Sequence, residues 1–121
     1  MNKNTLFEIV LFDPENTLIA LLEKQDIKFQ KIGKSQKFVV ATDETIEIVS
    51  RENNDILIES LVSIFMTWLN KKPHRKLQAQ LVDGSILYID KYDSKGNTDI
   101  INRLLKVNAF DPEYNTRIIN R

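Results

Sequence analysis

Apolar and polar positions change period several times along the 121-residue chain, and each change marks an element. Leu6-Phe7-Glu8-Ile9-Val10-Leu11-Phe12 is dense in β-branched and aromatic side chains and has the length of a strand buried on both faces. Asp13-Pro14-Glu15 follows with a capping acceptor, a preset φ and an acid at the positive end of a helix dipole, so a helix is expected from Pro14. Leu18, Ile19, Leu21 and Leu22 give it an apolar stripe, and Glu23-Lys24-Gln25-Asp26 ends it. The period then falls to two. Strands are expected over Ile27–Ile32, Phe38–Ala41 and Thr45–Val49, broken by Gly33-Lys34-Ser35 and by a turn at Thr42-Asp43-Glu44.

Leu57, Leu61, Ile64, Phe65, Trp68 and Leu69 recur at helical spacing, and Ile58, Val62 and Met66 widen the stripe beyond an ordinary surface face. This helix is capped by Asn54, stops near Lys71 ahead of Pro73, and is the expected centre of the core. Asp83-Gly84 lies between two apolar runs and predicts a hairpin. A two-residue loop would split the apolar set between faces. A three-residue loop, Val82-Asp83-Gly84 with Gly84 left-handed, puts Leu77, Ala79, Leu81, Leu87 and Ile89 on one face and is preferred. A last helix, capped by Asn97 or Thr98, carries Ile100, Ile101, Leu104 and Leu105. Phe110-Asp111-Pro112-Glu113 then copies Phe12-Asp13-Pro14-Glu15. Because the flanks do not align, the copy reads as repeated cap chemistry and not as a duplicated unit.

These elements predict an α+β fold: a two-layer sandwich whose mixed or mostly antiparallel sheet has about five to six strands, with three helices mainly on one face. The expected organisation is one α+β domain over residues 1–108 and a C-terminal tail or short helix over 109–121, where Ile118 and Ile119 could dock. A hydrophobic fraction of 42% with three glycines and three prolines supports one packed core. The apolar run Ile56–Leu69 is interrupted by Glu59, Ser60, Ser63 and Thr67, and Glu8 interrupts the first strand, so neither a membrane span nor a leader is expected. A cytoplasmic location is the default expectation.

Seventeen basic and seventeen acidic side chains leave a formal net charge of zero, which argues against a dedicated nucleic-acid binder. The absence of cysteine closes disulfide, thiol and thiolate-metal chemistry. His74, the one histidine, sits among Lys71, Lys72, Arg75 and Lys76. Those four cations either close the preceding helix at its negative end or form the surface that a partner touches; they are the candidate partner-binding residues. Asp43, Glu44 and Glu47, and Asp83, Asp90 and Asp93, have no diagnostic spacing for a glycosidase pair or an oxygen-ligand metal site. No nucleophile elbow surrounds any serine, and the glycines build no phosphate cradle. No catalytic, cofactor or metal residue is therefore assigned. Trp68 reads as core, with a partner hot spot as its alternative.

Thr67-Trp68-Leu69 near a helix end, the basic stretch Lys71–Lys76, the strand from Leu77, Asp83-Gly84-Ser85, Tyr88-Ile89-Asp90 and the run Asp99–Leu105 resemble the effector-associated constant component family of bacterial conflict systems. The chain departs from that pattern at Asn53-Asn54-Asp55-Ile56-Leu57, where the family has a glycine-rich approach. The resemblance implies a non-catalytic adaptor that couples an effector to its partners. The expected function is thus a non-enzymatic protein-interaction module with a protein partner, no cofactor, and room for a homo-oligomer. The alternatives are an immunity or inhibitor protein against a toxin, and a small ligand-binding or hydrolytic domain using Asp43, Glu44 or Asp90.

Overall fold

The computed structural model describes residues 4–32 and 43–113, so the expected strand at Phe38–Ala41, the Gly33-Lys34-Ser35 break and Ile118 and Ile119 lie outside the described residues. Leu6 to Phe12 forms the expected first strand, β1 (Thr5–Phe12). It alternates instead of being buried on both faces: Phe7, Ile9 and Leu11 are buried, and Glu8, Val10 and Phe12 are half-buried. The reason lies in the layers. Helices cover only one face of the sheet, so a strict period of two decides which β1 residues enter the core.

The first helix, α1, runs Thr17–Lys24 and starts three residues later than Pro14. Asn16 takes a left-handed φ of 57°, a conformation asparagine tolerates, and breaks the helical path before it begins. Asp13 still satisfies a helix-end donor, because its Oδ2 accepts the Leu18 backbone N–H at 2.8 Å. The chain then turns into β2 (Phe29–Ile32) and β3 (Asp43–Val49). Asp43 and Glu44 belong to β3, where they pair with Phe12 and Leu11, and not to a turn.

The long helix α2 spans Asp55–Lys71, as its apolar stripe predicts. Asn54 stands at its N-cap but accepts Arg51 N–H with its side chain, while Asn53 accepts the Asp55 N–H at 3.0 Å. Trp68 and Phe65 are fully buried on it, which settles Trp68 as core, and Phe65 meets Phe7 of β1 with ring centroids 6.3 Å apart.

Strands β4 (Lys76–Leu81) and β5 (Ile86–Tyr88) make the hairpin with the three-residue loop: Leu81 N–H bonds Ser85 C=O at 2.9 Å, and Gly84 has φ 91°. Leu77, Ala79, Leu81 and Ile89 enter the core, whereas Leu87 on the same face stays partly exposed. Helix α3 is Ser94–Asn102, capped by Asp93, whose side chain accepts the Gly96 N–H at 2.9 Å. Asn97, expected as a cap, is instead buried and clamps the Asp90 backbone, donating to its C=O at 2.7 Å and accepting its N–H at 2.9 Å.

Leu104 and Leu105 do not extend that helix. They open β6 (Leu104–Phe110), in which Val107 and Ala109 face the core and Lys106 and Asn108 face away. The sheet order is β2-β3-β1-β6-β4-β5, with β6 parallel to β1 and every other neighbour antiparallel. Among the described residues, three helices and one mixed six-stranded sheet thus form an α+β fold around an apolar core. Among the described residues no helix is long and apolar enough to cross a membrane.

Gly84 is the position where the hairpin requires a left-handed residue, and a Cβ there would meet no neighbour within 4 Å. Gly84→Ala is expected to cost about 1–2 kcal/mol through backbone strain alone, read as a lower urea midpoint with an unchanged m-value.

Candidate functional site

Lys71, Lys72, Arg75 and Lys76 share a short link in sequence, yet the structure sends them to different places. Lys71 and Lys76 are exposed, and Lys72 is partly buried. Arg75 points inward with 8% of its surface accessible. His74 between them has a φ of 69°, and this left-handed residue reverses the chain so that Arg75 turns towards the core while His74 stays exposed.

The Arg75 guanidinium lies 4.5 Å from the centroid of the Trp68 ring. Its Nε donates to Asp111 Oδ2 at 2.8 Å, its Nη1 to the Trp68 C=O at 2.8 Å and its Nη2 to Thr17 Oγ1 at 3.2 Å. The Trp68 C=O belongs to the last turn of α2, where carbonyls lack helical partners, so Arg75 also completes that helix end. Lys72 Nζ adds a contact to Asp111 Oδ1 at 3.3 Å.

Thr17 joins this group to a second carboxylate. Its hydroxyl donates to Asp13, with both carboxylate oxygens at 3.0 Å, and accepts from Trp68 Nε1 at 2.8 Å as well as from Arg75. One donor and two lone pairs are thereby used. Asp13 and Asp111 are only 3% and 4% exposed and come from the two Phe-Asp-Pro-Glu copies. The copies stand side by side: Phe12 pairs with Phe110 in the parallel β1–β6 register, their rings stack at 4.8 Å and 11°, and Asp111 N–H bonds the Phe12 C=O at 3.0 Å.

The two motifs end adjacent parallel strands at their carboxyl ends, a common place for ligand sites in sheets of this kind. Here the groups satisfy one another. Asp111 Oδ1 also accepts the Glu113 N–H at 2.8 Å. Burial alone would push the Asp111 carboxyl up; the Glu113 N–H, Arg75 and Lys72 outweigh it and hold the group below the ordinary carboxylate range.

The remaining acidic candidates are dispersed. Glu44 pairs with Lys31 at 3.3 Å, Glu47 accepts from Thr5 Oγ1 at 2.7 Å, Asp83 accepts the Ser85 N–H at 2.8 Å, and Asp90 accepts the Tyr92 N–H at 2.7 Å. The two glutamates tie β3 to its neighbours β2 and β1, and the two aspartates serve their own turns. Among the described residues no group of three or more His, Asp or Glu side chains could hold a metal ion. A surface cleft of about 480 Å³ beside His74 is lined by Lys76, Gln78, Tyr88 and Phe110.

The most distinctive exposed feature is the edge strand β5. Ile86, Leu87 and Tyr88 are 56%, 40% and 56% exposed, and β5 ends the sheet with β4 on one side only among the described residues. Neither charge nor proline interrupts the strand. Its sequence signal is the run of three apolar residues on a short strand, which lacks the polar alternation that solvates one face. Compared with protein-family models, curated proteins and solved structures, the chain matches none of them.

Arg75→Met is expected to cost about 3–5 kcal/mol in urea melts, because it leaves the Asp111 carboxylate buried without its main partner. Adding Asp111→Leu should recover a large part of that loss. The depressed Asp111 pKa contributes stability that is complete above about pH 4 and is lost as pH falls through the folded-state value. Wild-type protein should therefore lose stability more steeply than Asp111→Asn on acidification below about pH 4.

Proposed function

We propose that this chain is a non-enzymatic protein-interaction module that joins another polypeptide along the outer edge of β5. The observation that carries the reading is the exposed apolar run Ile86-Leu87-Tyr88 on a sheet edge that no other described strand pairs with. Domains normally blunt such an edge by keeping the strand very short, or with lysine, proline, a bulge or a covering loop, since its N–H and C=O groups template strand addition. Strand β5 has the short length, three residues, but neither lysine nor proline. An apolar edge kept open is suited to binding. The internal saturation of Asp13, Thr17, Arg75 and Asp111 fits the same reading, because these groups bind one another and hold the fold together.

Of the four candidate cations, Lys71 and Lys76 are exposed, Lys72 is partly buried against Asp111, and Arg75 is buried. An adaptor role in a bacterial conflict system is the narrower form of the proposal, and it rests on the resemblance carried by Thr67-Trp68-Leu69, the basic link and the Asp83-Gly84 hairpin.

Sedimentation of the tagged protein in a native lysate tests the module. The wild type is expected in an assembly larger than its 14.1 kDa monomer, and Leu87→Lys as a free monomer with an unchanged melting temperature. A wild type that sediments as a free monomer in the lysate overturns the reading, as does turnover of a substrate by the purified domain that Asp13→Asn abolishes.

A further inference from the structure

The alternation of hydrogen bonds along β5 decides how its open edge can pair. Leu81 N–H bonds the Ser85 C=O and Ile89 N–H bonds the Leu77 C=O, both at 2.9 Å. In an antiparallel ladder the hydrogen-bonded pairs alternate with pairs that exchange no bond. With Ala79 opposite Leu87, the backbone groups of Ser85, Leu87 and Ile89 therefore face β4. Those of Ile86 and Tyr88 face outward. The edge thus offers two N–H and two C=O groups, separated by Leu87.

This pattern is its own complement under a two-fold axis through Leu87. An antiparallel second strand with the same sequence sets Ile86 opposite Tyr88 and Tyr88 opposite Ile86, so each pair exchanges two bonds and all four outward groups on each strand are satisfied. Leu87 then meets Leu87 in a non-hydrogen-bonded pair, the kind in which side chains come closest. Both faces of the new junction are apolar, with the leucines on the helix side and Ile86 against Tyr88 on the other. The same axis brings the Asp83 end of one hairpin to the Lys91 end of its partner, at each end of the junction. Asp90 beside Lys91 leaves that end without net charge, so the charges do not set the direction; β5 itself, Ile86–Tyr88, carries no charge to repel a copy of itself.

We infer that the polypeptide joined at this edge is a second copy of the same chain, with β5 pairing antiparallel to β5 about Leu87 to make one continuous twelve-stranded sheet. The inference rests on the interaction-module reading and names its partner.

Equilibrium sedimentation of the purified full chain reads the association directly. The wild type should form a dimer, and Leu87→Lys and Leu87→Glu should each weaken it by about tenfold or more while melting like the wild type. An equimolar mixture of the two variants should dimerise again, since lysine and glutamate face each other across the axis. In a chain without cysteine, Leu87→Cys should form an interchain disulfide on mild oxidation. Ile86→Cys should not, because its two copies are diagonal neighbours at about 7–8 Å. A purified wild type that stays monomeric up to about 1 mM, or a dimer indifferent to both Leu87 variants, overturns the self-pairing. If the purified chain is monomeric while its assembly in lysate still depends on Leu87, another protein's strand occupies the edge and the module reading survives. Monomer under both conditions defeats both.

Discussion

The Arg75 guanidinium, stacked on Trp68 and paired with Asp111, is the interaction on which the arrangement of elements depends. It reaches from the start of β4 to the end of α2, the beginning of α1 and the end of β6. A buried ion pair contributes little net stability against a well-packed apolar substitute, because desolvation offsets the attraction. Its consequence is geometric. A planar donor fork with fixed directions accepts only one placement of Trp68, Thr17 and Asp111, so it selects one way of stacking α1 and α2 over the centre of the sheet.

The two Phe-Asp-Pro-Glu copies show how one local device can serve two purposes. At Asp13 the carboxylate satisfies the first donors of α1, while at Asp111 it balances Arg75 and Lys72. Both aspartates lie at strand ends on the helix-covered side, and the preceding phenylalanines stack on the open side. The parallel register of β1 and β6 makes both contacts possible at once. The motif therefore clamps the two central strands at the same level from both faces.

Strength at the centre contrasts with openness at the rim. The core is continuous beneath the helices, and its charged members are internally paired; the β5 edge presents apolar side chains and free backbone groups. Binding at such an edge adds hydrogen bonds and buries side chains without disturbing the packed interior, so a rigid domain can associate with little reorganisation. Part of this site was legible in the sequence. Gly84 after Asp83, with the apolar phase of Leu77, Ala79, Leu81 and Ile89, determines the three-residue loop and so the backbone phase of β5. That β5 lies outermost was not, since a hairpin carries no signal saying which of its strands meets the rest of the sheet. The basic link misled in the opposite direction: cations beside a proline read as surface, and only the left-handed turn at His74 puts Arg75 inside.

Local chemistry determined the element types wherever one period prevailed. The apolar stripe from Leu57 to Leu69 and the stop before Pro73 define α2, and alternation defines β3 and β4. Where two periods competed, the tertiary structure decided. Ile100, Ile101, Leu104 and Leu105 suit a helix, but Leu104, Val107 and Ala109 also suit a strand, and the slot between β1 and β4 offers hydrogen bonds on both sides that a solvent-exposed helical turn cannot match. The positions of β6 and of the two aspartates depend on which distant segments become neighbours. Spacing along the chain carries the periodicity of each element, whereas the neighbours arise from packing all of the apolar faces against one another at once.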